Sequence, residues 1–343
     1  MALWTDLIEP AELTGYVRAA YEDVERARGF LAAFLPNQEV HDVVVRTYTG
    51  EAGLVDEASY RAFDAEPEVI AGGQARKLVI ELPALGSVKP VSEYSQLRAR
   101  NATDEVLRDV ILREALRSVQ GVSDRTERMR GTVLETGKAT IDQANFQVED
   151  DFGRDPSMTV TTSAVWSGST AKVLDDLTAW ADAYADLNGE RPGALVVSSK
   201  IARAMRRHAD FQTVTVEGVT RHASLETVNS VLSSEGLPAI TVYDRRTSSA
   251  GKAVRVLSED RLLFLPDPVD PFSGAPTPLG ATWWGQTLAA SEADMGIPDE
   301  QQPGIVASLD RASRTPRTVS IDVDAIALPV LANANLSMAA KVL

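Results

Sequence analysis

The sequence predicts an α+β fold in two units, and three observations carry that prediction. A helical pattern runs from Thr103 to Thr136 without a proline; at 1.5 Å per residue it would span about 50 Å, more than most single domains are wide. Ahead of it stand two β-rich runs, Val40–Thr49 and Arg76–Leu82, joined by a long acidic connection. Behind it, from Ser169 to Arg314, short strand and helix patterns alternate as in a compact α/β unit with its own core.

Composition sets the outer limits. The chain has 343 residues, 44% hydrophobic and 24% charged, a globular composition at a length that suits about two domains. Thirty-four Lys plus Arg against 49 Asp plus Glu give a net charge of −15, which opposes loose attraction to phosphate backbones and anionic membranes. The absence of cysteine removes disulfides, thiolate nucleophiles and Cys-containing metal sites. Three histidines, His41, His208 and His222, leave little material for metal or general-base chemistry. Asp6, Glu9 and Glu12 precede the first basic residue, Arg18, in the opposite of a secretory signal. The longest uncharged stretch, Pro271–Ser291, is broken by prolines and glycines and does not suit a spanning helix. The chain reads as a soluble protein made inside the cell.

In chain order, residues 1–39 form an N-terminal arm. Tyr16, Val17, Ala20, Tyr21 and Val24 make a short amphipathic stretch followed by the apolar run Phe30–Leu35. So short a helix needs its apolar face covered by something distant, in this chain or a neighbour. Residues 40–92 read as an open hairpin. In its connection, Gly50–Gly73, six acids (Glu51, Asp56, Glu57, Asp64, Glu66, Glu68) face only Arg61. It is too long for a hairpin turn, so it is either a solvated loop or a flap that reaches a partner chain.

The long helix has an N-cap signal at Asn101 with Asp104 three residues on, and Gly137 stands where a C-terminal glycine belongs. Seven acids and six arginines include three i,i+4 pairs, Asp104–Arg108, Asp109–Arg113 and Asp124–Arg128. With a narrow apolar stripe (Leu112, Leu116, Val119, Val122), this pattern describes a solvated strut laid across a sheet. After a polar strand region, Ile141–Thr162, a second helix begins near Ser169, with Val173, Leu177, Trp180, Tyr184 and Leu187 in helical spacing and Asn188–Gly189 as its end. Strands at Ala194–Ser198, Ile240–Tyr243, Val254–Leu257 and Leu262–Leu265 then alternate with helices at Lys200–Arg207 and Leu225–Leu232, and a β stretch fills Phe211–Val219. A proline-rich excursion precedes Trp283–Trp284. The last strand, Val319–Leu328, returns to the sheet near the long helix.

No constellation for catalysis stands out. Gly131–Lys138 resembles a phosphate-binding loop only superficially: its spacing is one residue too long, Ala139 replaces the Ser or Thr, and it lies at a helix end. His208 and His222 with Asp210 and Glu217 lack a spacing that puts metal ligands on one face. Asp150–Asp151 and Asp175–Asp176 are sequence neighbours whose side chains diverge. Ser198–Ser199–Lys200 is more simply a helix cap. Trp283–Trp284 suits core packing or a subunit contact better than a ligand platform.

Two elements thus lack a local core, and the order of parts is distinctive. It resembles the major capsid protein of tailed bacteriophages, in particular the phage lambda-type head protein family and its actinobacteriophage relatives. Four segments carry the resemblance: Tyr60, Arg61, Phe63, Asp64, Glu66 and Pro67 in the hairpin, where Glu66 abuts Pro67 directly; Phe152–Asp155 with Thr159–Thr162 and Trp166; Leu279, Gly280 and Thr282–Gly285; and Leu328–Pro329–Val330 with Asn333.

The resemblance implies the tailed-phage capsid fold. Residues 1–39 would be the arm and 40–92 an extended loop lying over a neighbouring subunit. Residues 93–168 and 315–343 would be a peripheral domain with 103–136 as spine helix, and 169–314 an axial domain around five-fold and six-fold positions. It implies a structural protein with no catalytic, cofactor-binding or metal-binding residues. Its partners would be copies of itself in hexamers and pentamers, portal and scaffolding proteins and a decoration protein. The shell would enclose double-stranded DNA without sequence-specific binding, be assembled in the bacterial host cytoplasm and involve no membrane. Some relatives link subunits by a Lys–Asn isopeptide bond, for which Lys77 or Lys89 with Asn333 or Asn335 would be the residues here, though no matching motif supports it. An encapsulin-like compartment shell, with a related fold, and a soluble α/β enzyme are the alternatives.

Overall fold

The arm closes on its own chain. In the computed structural model, which describes residues 4–49, 76–99, 101–144, 146–168, 170–214, 220–272, 274 and 276–343, helix α1 (Pro10–Arg28) buries Leu13, Val17, Tyr21 and Glu25, every fourth residue along one face. That face meets the long helix and the first sheet, so the cover that the arm requires comes from within the subunit. Strand β1 (Asn37–Glu39) follows. β2 (Val44–Thr49) and β3 (Arg76–Glu81) then pair antiparallel, Val44 opposite Glu81 and Thr49 opposite Arg76, as the expected hairpin; its first strand starts at Val44 and not at Val40. The connection Gly50–Gly73, with its acidic run and the Tyr60–Pro67 segment, lies outside the described residues.

Next come β4 (Ala84–Val91) and the short helix α2 (Glu93–Arg98), capped by Ser92. Helix α3 (Asp104–Thr136) ends as expected on Gly137 in the left-handed conformation (φ 71°), but its cap is Thr103, whose hydroxyl accepts from the Val106 N–H, and not Asn101. The helix is also not a solvated strut. From Val122 to Glu135 most of its side chains are buried. Two of the expected i,i+4 pairs give way to longer-range partners: Arg108 reaches Glu12 on α1, and Asp124 pairs with Arg245 at 2.7 Å.

β5 (Lys138–Gln143) and β6 (Phe146–Asp151) form a hairpin, followed by β7 (Thr159–Thr161). α4 (Val173–Asn188) starts four residues later than Ser169 and ends on Gly189. Then come β8 (Ala194–Val197), α5 (Ser199–Arg207), the two-residue strands β9 (Thr213–Val214) and β10 (Thr220–Arg221), α6 (Leu225–Ser234), β11 (Ile240–Val242), the hairpin β12 (Arg246–Ser249) and β13 (Lys252–Arg255), β14 (Arg261–Leu265), β15 (Gly280–Gly285), β16 (Val306–Arg311), β17 (Val319–Leu331) and β18 (Met338–Lys341).

Two five-stranded sheets organise these parts. In the first, β17 is the axis. β4 pairs along one edge, while β15 and β16 share the other, so Ile326 faces both Ala84 and Gly285. Strict alternation along β17 turns Val319, Ile321, Val323 and Ala325 toward α1 and α3. The second sheet runs β11–β8–β14–β18–β7. Its Leu195, Val197, Leu262 and Phe264 face α4, α5 and α6, and the alternate residues Val196, Leu263 and Leu265 meet the C-terminal turns of α3 in a core shared with the first sheet. Sheet membership cuts across the expected domain boundaries. β15 and β16, within 169–314, belong with β17, whereas β7 and β18 complete the α/β unit.

Candidate functional site

The residues singled out for chemistry are dispersed. His208 lines a cleft of about 800 Å³ beside Trp166, Lys200, Arg203 and Arg207, its Nδ1 3.2 Å from Asp210; His222 is exposed, and Glu217 lies outside the described residues. Among the described residues no group of three His, Asp or Glu is placed to hold a metal ion. Asp176 accepts from the Trp166 indole (2.9 Å) and the Thr162 hydroxyl (2.7 Å), fixing the start of α4, while Asp175 meets Lys172. Asp151 pairs with Lys138 across the β5–β6 hairpin, and burial pushes the Asp150 carboxyl up. Ser198 caps α5 as expected, accepting from the Ile201 N–H. Gly131 is packed inside α3 against the Val256 backbone and cannot cradle a phosphate.

The candidates for a covalent bond divide by exposure. Lys77 and Lys89 are exposed. Asn333 and Asn335 spend their side-chain oxygens on the backbone N–H groups of Asn335 (3.1 Å) and Asp155 (2.8 Å).

The densest polar constellation is one the sequence did not disclose. Arg130 of α3, 1% exposed, donates through Nε to Thr282 Oγ1 (2.8 Å), through Nη2 to Asn37 Oδ1 (2.7 Å), and through Nη1 to Glu25 and to Glu127 Oε2 (3.3 Å). Glu127 Oε1 also accepts from the Tyr243 hydroxyl (2.7 Å) and the Leu31 N–H (3.0 Å), with Arg245 at 3.8 Å. Trp284 donates its indole N–H to Asn37 Oδ1 (2.8 Å) and meets Tyr21 edge-on at 5.0 Å. Trp284 is therefore a core residue, as the packing reading had it. Burial alone would weaken the Arg130 charge, but Glu25, Tyr21 and Glu127 hold its pKa above the ordinary arginine value. Burial, then Glu127, pushes the Tyr243 hydroxyl up.

This arrangement holds parts together and leaves nothing to react. Two carboxylates meet one fully buried guanidinium and a second at the margin, so the charges balance without solvent. A cleft of about 680 Å³ opens beside it at Arg18, Arg26, Phe272 and Trp284, but Glu25 and Glu127 do not line it; its own carboxylates, Glu22 and Glu39, are exposed. The network joins α1, β1, α3 and β15. Its signal in the sequence was faint: Arg130 three residues from Glu127 looks like a surface pair, except that Met129, Val133 and Leu134 crowd around it.

No helix among the described residues is long and apolar enough to cross a membrane. The sequence matches the family described as phage major capsid protein E over residues 9–342. Comparison with curated proteins finds no match. In structure, the chain is similar to the putative capsid protein of a prophage of E. coli CFT073, with a TM-score of 0.62 at 15% identity over 96% of this chain and 99% of that one. It is also similar to a phage-related protein from Bordetella bronchiseptica RB50, with a TM-score of 0.59 at 14% identity over 95% of each chain.

Proposed function

Because this chain belongs to the phage major capsid protein E family and is thus a structural shell subunit, not an enzyme, we propose that it builds an icosahedral head, as hexamers and pentamers, around the double-stranded DNA of a tailed phage. The family match over nearly the whole chain carries this reading and favours it over an encapsulin-like compartment or a soluble enzyme. A subunit of net charge −15 gives packaged DNA no adhesive wall, which suits a container that must later release it.

Within this reading, residues 40–92 extend over a neighbouring subunit, and the peripheral and axial roles fall to the two sheet units. Portal and scaffolding proteins and a decoration protein complete the assembly in the host cytoplasm. The β2–β3 ribbon supports the loop assignment: its base is anchored by the buried Val45 and Ile80, while Val43 and Val79 stand 46% and 54% exposed. A two-stranded ribbon so exposed is marginal alone and gains from a partner surface.

Electron microscopy of the purified chain, with scaffold supplied where needed, tests the proposal. Closed shells or rings of six and five copies are expected. A stable monomer under every condition would overturn it, and shells filled with protein cargo instead of nucleic acid would favour the compartment.

A further inference from the structure

The two ends of β16 carry opposite charge. At its C-terminal end, Arg311, Arg314 and Arg317 occupy the turn into β17 with no acid between them. α2 brings Arg98 to the same end, since Gln96 Nε2 donates to the Arg317 carbonyl at 2.9 Å. Arg98, Arg314 and Arg317 are exposed, and Arg311 Nε is buried without a hydrogen-bond partner. None of the four forms an ion pair among the described residues, although Glu93 and Asp310 stand at the margin. Tyr94 and Leu97, one turn apart on α2, are 69% and 58% exposed, and α2 buries no residue of its own.

At the N-terminal end, the segment Leu288–Gln301 carries Glu292, Asp294, Asp299 and Glu300, all exposed, and no base. Asp299 accepts from Gln302 at 2.8 Å; none of the four is ion-paired among the described residues. The segment is held in place, because Ala290 and Met295 pack with Val306 in a small core. From it Leu288 projects, 82% exposed.

Five residue steps of β16 hold these ends about 17 Å apart, so one subunit cannot bring its own two patches together. We propose that they mate between copies: the arginine end of one subunit receives the acidic end of the next, with Leu288 seated against Tyr94 and Leu97. Four guanidiniums then meet four carboxylates around an apolar centre. Such complementarity fixes register and speeds encounter, and a head-to-tail contact of this kind closes into rings when its rotation allows. The inference rests on the shell reading and goes beyond it by naming the two faces.

Charge reversal tests it. Arg314→Glu with Arg317→Glu, or Glu292→Arg with Asp294→Arg, should each lower the fraction of protein sedimenting as particles by at least about tenfold, with circular dichroism unchanged. A chain carrying all four changes should recover to within about threefold. Leu288→Asp, which removes no core contact, gives an independent arm and should impair assembly at unchanged Tm. Reversed chains that assemble like the unaltered one, or a folded four-change chain that fails to recover, would overturn the pairing while leaving the shell reading intact. If the unaltered chain forms no particles, the shell reading itself falls.

Discussion

Arg130 on α3 is buried against Glu25 of α1, 105 residues away in sequence, with both side chains 1% exposed. The pair makes the arm part of the fold instead of a loose extension. Removing the guanidinium would strand Glu25 without water or counter-charge and leave Glu127 only the more distant Arg245, at 3.8 Å. Arg130→Met should therefore cost about 3–5 kcal/mol, the range for breaking a buried ion pair from one side. Guanidinium unfolding of the unassembled subunit measures this; a loss below about 1 kcal/mol would mean the network is not a structural lock.

Two glycines of α3 should respond to alanine with opposite signs. A Cβ on Gly121 meets nothing within 4 Å on the exposed face, whereas one on Gly131 overlaps the Val256 carbonyl. Gly121→Ala should stabilise by about 0.5–1 kcal/mol through helix propensity. Gly131→Ala should destabilise by about 1–3 kcal/mol through overpacking. Denaturation midpoints decide, and the same sign for both would contradict the packing described.

Asp322 and Asp324 on β17 give a pH dependence. Burial pushes both carboxyls above their ordinary value; at Asp322 the Ser320 hydroxyl opposes this and Asp310 adds to it, and at Asp324 the Ala325 N–H opposes it. Between the ordinary and the raised value the folded state binds more protons than the unfolded one, so their contribution is full below the ordinary carboxylate range and is lost as pH rises through the raised value. Asp322→Asn and Asp324→Asn should each raise Tm at pH 7, by about 1–2 °C, and by less at pH 4. An equal gain at both pH values would point to some cause other than burial.

Deleting residues 51–72 and closing the gap with a short turn should abolish particle formation without lowering the Tm of the α/β unit. Velocity sedimentation and calorimetry report the two outcomes separately. Normal particles from the shortened chain would remove the bridging role proposed for residues 40–92.

The sequence disclosed elements with strong local signals. The 4,3,4,3 spacing from Val173 to Leu187 marked α4, Ser198 marked the start of α5, and Gly137 marked the end of α3. Elements defined by distant partners were hidden. β4 contains Gly86 and Pro90, which argue against a strand until β17 is there to pair with it. β18 reads Met-Ala-Ala-Lys, a helix-forming composition, yet lies between β14 and β7. The buried network escaped for a related reason: the i,i+4 pattern on α3 treats every charge as solvated, and only the approach of α1, β1 and β15 shows which ones are not.

The position of β18 also sets a timetable. The α/β unit is begun by β7 and β8, yet β14 and β7 have no bridge between them until residues 338–341 have been synthesised. A nascent chain at the ribosome therefore holds an unfinished sheet while residues 162–337 are made, and at ~5–20 residues per second the interval from β7 to β18 lasts on the order of ten seconds or more. Surfaces that depend on that sheet become available to other copies only after residues 338–341 have joined β14 to β7, so polymerisation is deferred past the stage at which subunits lacking β18 could be trapped in it.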